Sequence, residues 1–201
     1  LNANVDMSYI SDYEKVKKDL RIKLSSHPAK ELVSKTAFAD IYMTAYLVVD
    51  CIENGTIGIK QEFLDTWNID KETLFADALE SSKENEPAKV MGLGQMVSEL
   101  TNNDLMVEDP EINTISVLTN SRKVFGASAI MYANLPKEFY MIPSSVHEVL
   151  IIPGDMIGMM GPGEHELTEM VKAVNETEVL PAEVLADHAY HYVDGEYRVI
   201  A

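Results

Sequence analysis

FYMIPSSVHEVLIIPGD, residues 139–155, sets two apolar extended runs on either side of a Pro-Ser-Ser turn, and a His-Glu pair opens the second run. Runs of this length, rich in β-branched and aromatic residues and split by a turn signal, read as a β-hairpin. The same punctuation recurs along the chain. Residues 40–51 are rich in Tyr, Val and Ile and read as a long strand. Asn54-Gly55 is a strong two-residue turn signal, so residues 56–60 are expected to pair back on that strand. Residues 188–193 and 196–200 read as another hairpin, around Asp194-Gly195. Hairpins outnumber β-α-β crossovers. The expected class is therefore α+β, a largely antiparallel sheet built from hairpins with helices packed on it.

Helical signals fill the gaps. From Ser11, the spacing of Tyr13, Val16, Leu20 and Leu24, with Lys15, Lys17, Lys18 and Arg21 between them, predicts one amphipathic helix. A second short helix is expected after Pro28. Residues 61–67 predict another, and Asp70 caps a longer one carrying Leu74, Phe75, Ala78 and Leu79. Residues 81–87 read as a polar break, 88–100 as a helix weakened by Gly92 and Gly94, and 101–110 as a loop. A strand is expected over 112–118, then Thr119-Asn120-Ser121 as the cap of a helix reaching Tyr132. The last helical signals are 164–174 and a further turn at 181–185. We divide the chain into an N-terminal helical segment, residues 1–36, and an α+β domain, residues 37–201. Leu1 in place of an initiator Met reads as the start of a fragment of a longer protein.

A chain of 201 residues can bury a substantial core. Its net charge is −17, unevenly spread: residues 1–30 hold six Lys/Arg and four Asp/Glu, the remainder ten and twenty-nine. Such an acidic body repels phosphate backbones, so no nucleic-acid partner is expected. The lone Cys51 excludes an internal disulfide framework and fits a reducing cytoplasm. No basic, apolar leader opens the sequence, and its longest apolar-leaning run, residues 41–52, is too short to span a bilayer; no membrane partner is expected.

The motifs that carry chemistry are incomplete. A helical zinc-protease site needs a second His four residues after His147, where Ile151 stands. A nucleophile elbow needs glycines flanking the serine, and neither Ser144 nor Ser145 has them. On a strand starting at Val146, His147 would share a face with Val149 and Ile151, and Glu148 the other face with Val146, Leu150 and Ile152. His188 and His191 are the weak candidates for a metal, but on a strand they face opposite ways, and a catalytic zinc takes three protein ligands. The glycines at 154, 158, 161 and 163 lie between strand and helix, where phosphate loops lie. The Gly-Lys-Ser/Thr ending is missing, and Glu164 and Glu166 would repel a phosphate. No cofactor is expected. The same loop carries Met156, Ile157, Met159 and Met160, an adaptable apolar set suited to a partner or a greasy ligand if exposed.

Five segments in this order also carry a resemblance: SDYEKVKKDLRIKL, KQEFLDTWNIDKETLFADALE, SVLTNSRKVFGASAIMY, FYMIPSSVHEVLIIP and VKAVNETEVLPAEVLADHAYHY. Over roughly residues 8–193 the chain resembles an uncharacterised bacterial family, seen mainly in Firmicutes and catalogued as domain of unknown function 5688. The resemblance is most specific at PSSVHEV and at LTN followed by GAS, and it implies no activity. It points at Asn120, Ser121, Ser144, Ser145, His147 and Glu148. The link from Tyr132 to Phe139 is shorter than the family pattern implies, and the loop 154–163 is longer and more apolar.

These features together lead us to expect a cytoplasmic, non-enzymatic binding or regulatory domain for an unknown protein or small molecule. Its surface would combine the turn at 144–148 with the loop at 156–160, and its candidate binding residues are Asn120, Ser121, Ser144, Ser145, His147, Met156, Met159 and Met160. Two other readings stay open. One is a hydrolase with His147 as general base, oriented by Glu148 or Asp187. The other is an acidic mimic of nucleic acid, which requires one continuous acidic face.

Overall fold

The computed structural model describes residues 7–49, 55–102, 107, 109–110, 112–157 and 163–201. In chain order the elements are helices α1 (Met7–Ile10) and α2 (Tyr13–Val16), strands β1 (Leu20–Ser25), β2 (Ser34–Phe38), β3 (Ile41–Val49) and β4 (Gly55–Gly58), then helices α3 (Gln61–Trp67) and α4 (Lys71–Asn85). Strand β5 (Ala88–Gly92), helix α5 (Leu93–Thr101) and strand β6 (Ser116–Asn120) follow. A 3-10 segment (Gly126–Met131) leads to β7 (Glu138–Ser145) and β8 (Glu148–Pro153). Helix α6 (Glu164–Thr177) and strands β9 (Ala189–Val193) and β10 (Glu196–Ile200) close the chain.

The strands form two antiparallel sheets. Sheet 1 has the order β1-β3-β2, with β4 also paired to β3; sheet 2 has the order β10-β9-β7-β8-β6-β5. The class is α+β, as the hairpins predicted. Helix α4 packs on sheet 1, the 3-10 segment lies between β1 and β6, and α6 covers the far face of sheet 2. Alternation along β7 explains why residues 139–142 are apolar without a break. Phe139 and Met141 enter the main core shared by both sheets, while Tyr140 and Ile142 enter a second core under Leu167 and Val171 of α6. A strand covered on both faces has no solvent side to fill with polar residues.

The hairpin β7-β8 forms where residues 139–155 placed it, but its tight turn is Val146-His147, since Ser145 pairs with Glu148. The strand therefore starts at Glu148, and Val146 packs in the main core instead of sharing a face with Glu148. Gly55 pairs with Val49 as the second hairpin requires, although Asn54 lies outside the described residues. The hairpin β9-β10 also forms, with Asp194 at φ 47° and Gly195 at φ 102° in its turn.

Several helical expectations are corrected. The helix from Ser11 stops at Val16, and Leu20–Ser25 is a strand on β3. Leu20, Ile22 and Leu24 satisfy period two while Val16, Leu20 and Leu24 satisfy a helical stripe, and pairing with the apolar β3 decides between them. No helix follows Pro28; β2 pairs with β3 there. Helix α4 runs through the supposed break because its serines are used: Ser82 Oγ accepts the Ile22 N–H at 3.0 Å, which covers the free edge of β1. Residues 88–92 are strand, not helix, and pair with β6. Ile112–Thr114 is a 3-10 turn, and β6 begins only at Ser116. Thr119 and Asn120 end β6 and cap no helix. Residues 181–185 are a turn without helix.

Candidate functional site

The hairpin turn and the loop after β6 meet, and most of their polar groups serve each other. Asn120 is fully buried. Its amide donates to Glu86 Oε2 at 2.8 Å and to the Val124 carbonyl at 2.9 Å, and its Oδ1 accepts the N–H groups of Arg122 and Val124. That uses the full hydrogen-bonding capacity of the side chain. Thr119 Oγ1 donates to the His147 carbonyl at 2.8 Å, and Ser145 Oγ accepts the His147 N–H at 3.0 Å. Gly126 is required here, because a Cβ would strike Thr119 Oγ1, the His147 carbonyl and the Asn120 nitrogen.

His147 sits at the centre of this junction. Its Nδ1 accepts the Phe125 N–H at 3.1 Å, and its Nε2 lies 3.4 Å from Glu183 Oε1. An Nδ1 that accepts leaves the ring proton on Nε2, where it faces the carboxylate. Phe125 has φ 51°, a left-handed conformation that costs a non-glycine residue about 1–2 kcal/mol. The bond from His147 and the stacking of the two rings, centroids 5.7 Å apart, hold it there. Lys23 Nζ lies 5.0 Å from the Phe125 ring centroid, so the aromatic ring also ties the turn to β1.

Glu148 points away from this junction and meets Ser144, whose Oγ donates to Oε1 at 3.4 Å. Burial pushes the Glu148 carboxyl above its ordinary value, against the Ser144 hydrogen bond and the charges of His147 and Lys123. His147 and Glu148 do not form a pair. The carboxylate that faces the imidazole is Glu183, not Glu148 or Asp187, and nothing local in the sequence marks it. Ser121 begins the loop, where its N–H donates to the Pro87 carbonyl at 3.0 Å. Met156 is not at this end of the molecule. It follows β8 and packs, half-buried with Ile157, against the second core. The five residue steps of β8 alone separate the turn from it by roughly 17 Å. Met159 and Met160 lie outside the described residues.

Behind Asn120 lies a buried charge cluster that sequence reasoning missed. Glu86 Oε1 accepts from Arg21 Nε at 3.2 Å and from an Arg122 guanidinium N–H at 3.1 Å, while Tyr132 donates to the Glu86 carbonyl. Arg21 also donates to Ser81 Oγ and to the carbonyls of Lys18 and Leu20. Arg21 belongs to sheet 1 and Asn120 to sheet 2, so Glu86 joins the two sheets through charge-assisted bonds.

The histidines of residues 188–191 point to opposite faces of sheet 2. His191 stacks on Tyr140 at 4.3 Å, and its Nε2 lies 3.1 Å from Glu138 Oε1. Beside it Arg198 donates to both carboxylate oxygens of Glu164, whose carboxyl is held below its usual range by the Tyr140 hydroxyl and by Arg198. His188 lies on the other side, between two carboxylates: Nδ1 is 2.9 Å from Asp187 Oδ1 and Nε2 is 3.2 Å from Asp40 Oδ2. Tyr190 donates its hydroxyl proton to Asp40 Oδ1 at 2.7 Å. Partial burial raises the Asp40 carboxyl, and the Tyr190 hydroxyl and His188 outweigh it, so its pKa lies below the ordinary value. Ala39, at φ 42°, turns the β2-β3 hairpin so that Asp40 reaches this position. Asp40, Asp187 and His188 line an open cleft of about 300 Å³ together with His27, Ile41 and Leu185. Among the described residues, no three His, Cys, Asp or Glu side chains are grouped to hold a metal ion.

Two antiparallel sheets joined by a buried charge cluster, with helices on their outer faces and a small acidic cleft at one junction, define the class: a compact α+β domain. The chain belongs to the family of unknown function DUF5688, whose profile matches residues 1–194. No curated protein and no solved structure matches it. Among the described residues no helix is long and apolar enough to cross a membrane.

Proposed function

We propose that this chain is a ligand-binding domain that does no chemistry at His147, and that its ligand site is the cleft lined by His27, Asp40, Asp187 and His188. The observation that carries this reading is the cleft itself, about 300 Å³ of open space with apolar floor residues and ionisable groups at its rim. The turn at 144–148 supports a binding site less well, because its polar groups are spent on one another, and Met156 belongs to the opposite end of the hairpin. A hydrolase using His147 as base needs a free imidazole lone pair. The one it has, on Nδ1, accepts the Phe125 N–H. The domain is cytoplasmic in this proposal, a reading that the lone Cys51 supports.

A 1H-15N correlation spectrum recorded against a panel of small cations, anions and neutral molecules tests the reading. Saturable shifts confined to residues 26–27, 39–41 and 184–190 are the expected result. Shifts centred on residues 121–126 and 144–148 would move the site to the turn. Turnover of a p-nitrophenyl ester that disappears in His147→Gln would restore the hydrolase.

A further inference from the structure

The ligand class can be read from the groups that line the cleft, given the reading above that the cleft is the ligand site. Its two carboxylates are placed by different parts of the chain. Asp40 comes from the β2-β3 turn and Asp187 from the segment entering β9, and His188 stands between them. An ionised carboxylate offers about four lone-pair positions. Asp187 gives one of its oxygens to His188, and among the described residues Asp40 bonds Tyr190 and His188. Both keep acceptor positions turned to solvent, since the side chains are 54% and 78% exposed for Asp40 and Asp187. A charged His188 between them cancels one of the two negative charges, and only a charged His27 as well, on the cleft wall, would cancel the other. The carboxylates, set in a protein of net −17, oppose an anionic ligand.

The rest of the wall is of another kind. Ile41, Leu185 and Ala186 form its buried floor, and Val184 adds partly exposed hydrocarbon. The volume, about 300 Å³, is at the small end for ligand sites and suits a molecule of about ten non-hydrogen atoms. We infer that the cleft takes a protonated amine or guanidinium carried on a short aliphatic stem, with Asp40 and Asp187 accepting from the cationic head and the partly exposed Val184 meeting the stem. Two sources supply that chemistry, a free amine or an Arg or Lys side chain of a protein partner.

Agmatine, the tetrapeptide acetyl-Gly-Arg-Gly-Gly-amide, pentanol and glutarate, titrated separately into the labelled protein, test the assignment. Saturable shifts at Asp40 and residues 184–190 with agmatine or the peptide, weakened about tenfold or more in Asp187→Asn and by added salt, support it. The tighter of the two cations then identifies the source. Asp187 is exposed and its replacement leaves the Asp40-Tyr190 bond in place, so this variant reports on binding and not on folding. Saturation of the cleft by pentanol or glutarate with no response to either cation overturns the cation assignment and leaves the binding domain standing. No shift in the cleft with any of the four overturns both.

Discussion

Replacing Glu86 by Gln isolates the charge that joins the two sheets. The carboxylate is 3% exposed and serves three donors, Arg21 and Arg122 at Oε1 and Asn120 at Oε2. An amide keeps the shape and one acceptor but turns its NH2 either at the arginines or at the Asn120 amide. Asn120 cannot rotate to meet it, because its oxygen already accepts from Arg122 and Val124. Arg21, at 7% exposure, is left with its charge uncompensated by a carboxylate, whereas the Arg122 side chain is 36% exposed and can turn to water. Breaking a buried pair from one side costs about 3–5 kcal/mol, and the partly exposed pair adds less than about 1 kcal/mol. For a chain of this size each kcal/mol lowers Tm by about 2–4 °C, so Glu86→Gln should melt roughly 6–24 °C below wild type. Urea unfolding followed by circular dichroism measures the free energy, and Arg122→Gln is the control, expected within about 1 kcal/mol of wild type. A Glu86→Gln protein within about 1 kcal/mol of wild type at unchanged slope would refute the reasoning. It would mean that Glu86 is not the charge compensating Arg21.

Glu148 is a carboxyl whose pKa is raised by burial, so its folded form binds protons more tightly than its unfolded form. Its favourable contribution is present below the unfolded value and is lost as pH rises through the folded one; Glu148→Gln should therefore raise Tm at pH 7 and leave it nearly unchanged at pH 4, by calorimetry. His147→Ala leaves the half-buried Phe125 N–H without its acceptor and its left-handed backbone unsupported, which should cost about 1–3 kcal/mol by urea unfolding, with amide exchange faster at residues 123–126. An unchanged Phe125 amide in that variant would show that the imidazole does not hold the loop. Asp70 accepts the Thr73 N–H at 2.7 Å, and that bond holds its carboxyl below the usual value. Asp70→Ala should lower the urea midpoint at pH 7, and the gap from wild type should close as pH falls through the folded Asp70 pKa, where wild type loses the same cap.

Hairpins were legible because their signals are local. Asp194-Gly195 accepts the positive φ of a tight turn, and the residues on either side carry the strands. The helix α3 and the capped helix α4 were legible for the same reason, through the Asp70 side chain and its Thr73 partner. Misreadings fall where two periods fit one string. Leu20, Ile22 and Leu24 suit a strand face, Val16, Leu20 and Leu24 a helix face, and only the pairing of β1 with β3 chooses. Ala88–Gly92 became a strand in the same way, because β6 offered it an edge.

The candidate site was legible in its residue types and illegible in its partners. PSSVHEV and LTN were marked separately as the most specific segments, and the structure brings them together through Thr119, Asn120, Phe125 and His147. The role of each group could not be read, because the groups that define it are distant in sequence. The imidazole of His147 answers to a backbone N–H 22 residues before it, and Asp40 meets His188 across 148 residues. Periodicity, turn chemistry and capping act over a few residues, and the sequence by itself determined from them the α+β class, the hairpins and helices α3, α4 and α6. Which sheet covers a charge, which carboxylate faces a histidine and where a cleft stays open depend on burying two sheets against each other. That burial fixes long-range partners by shape and desolvation, and only the tertiary structure decided it.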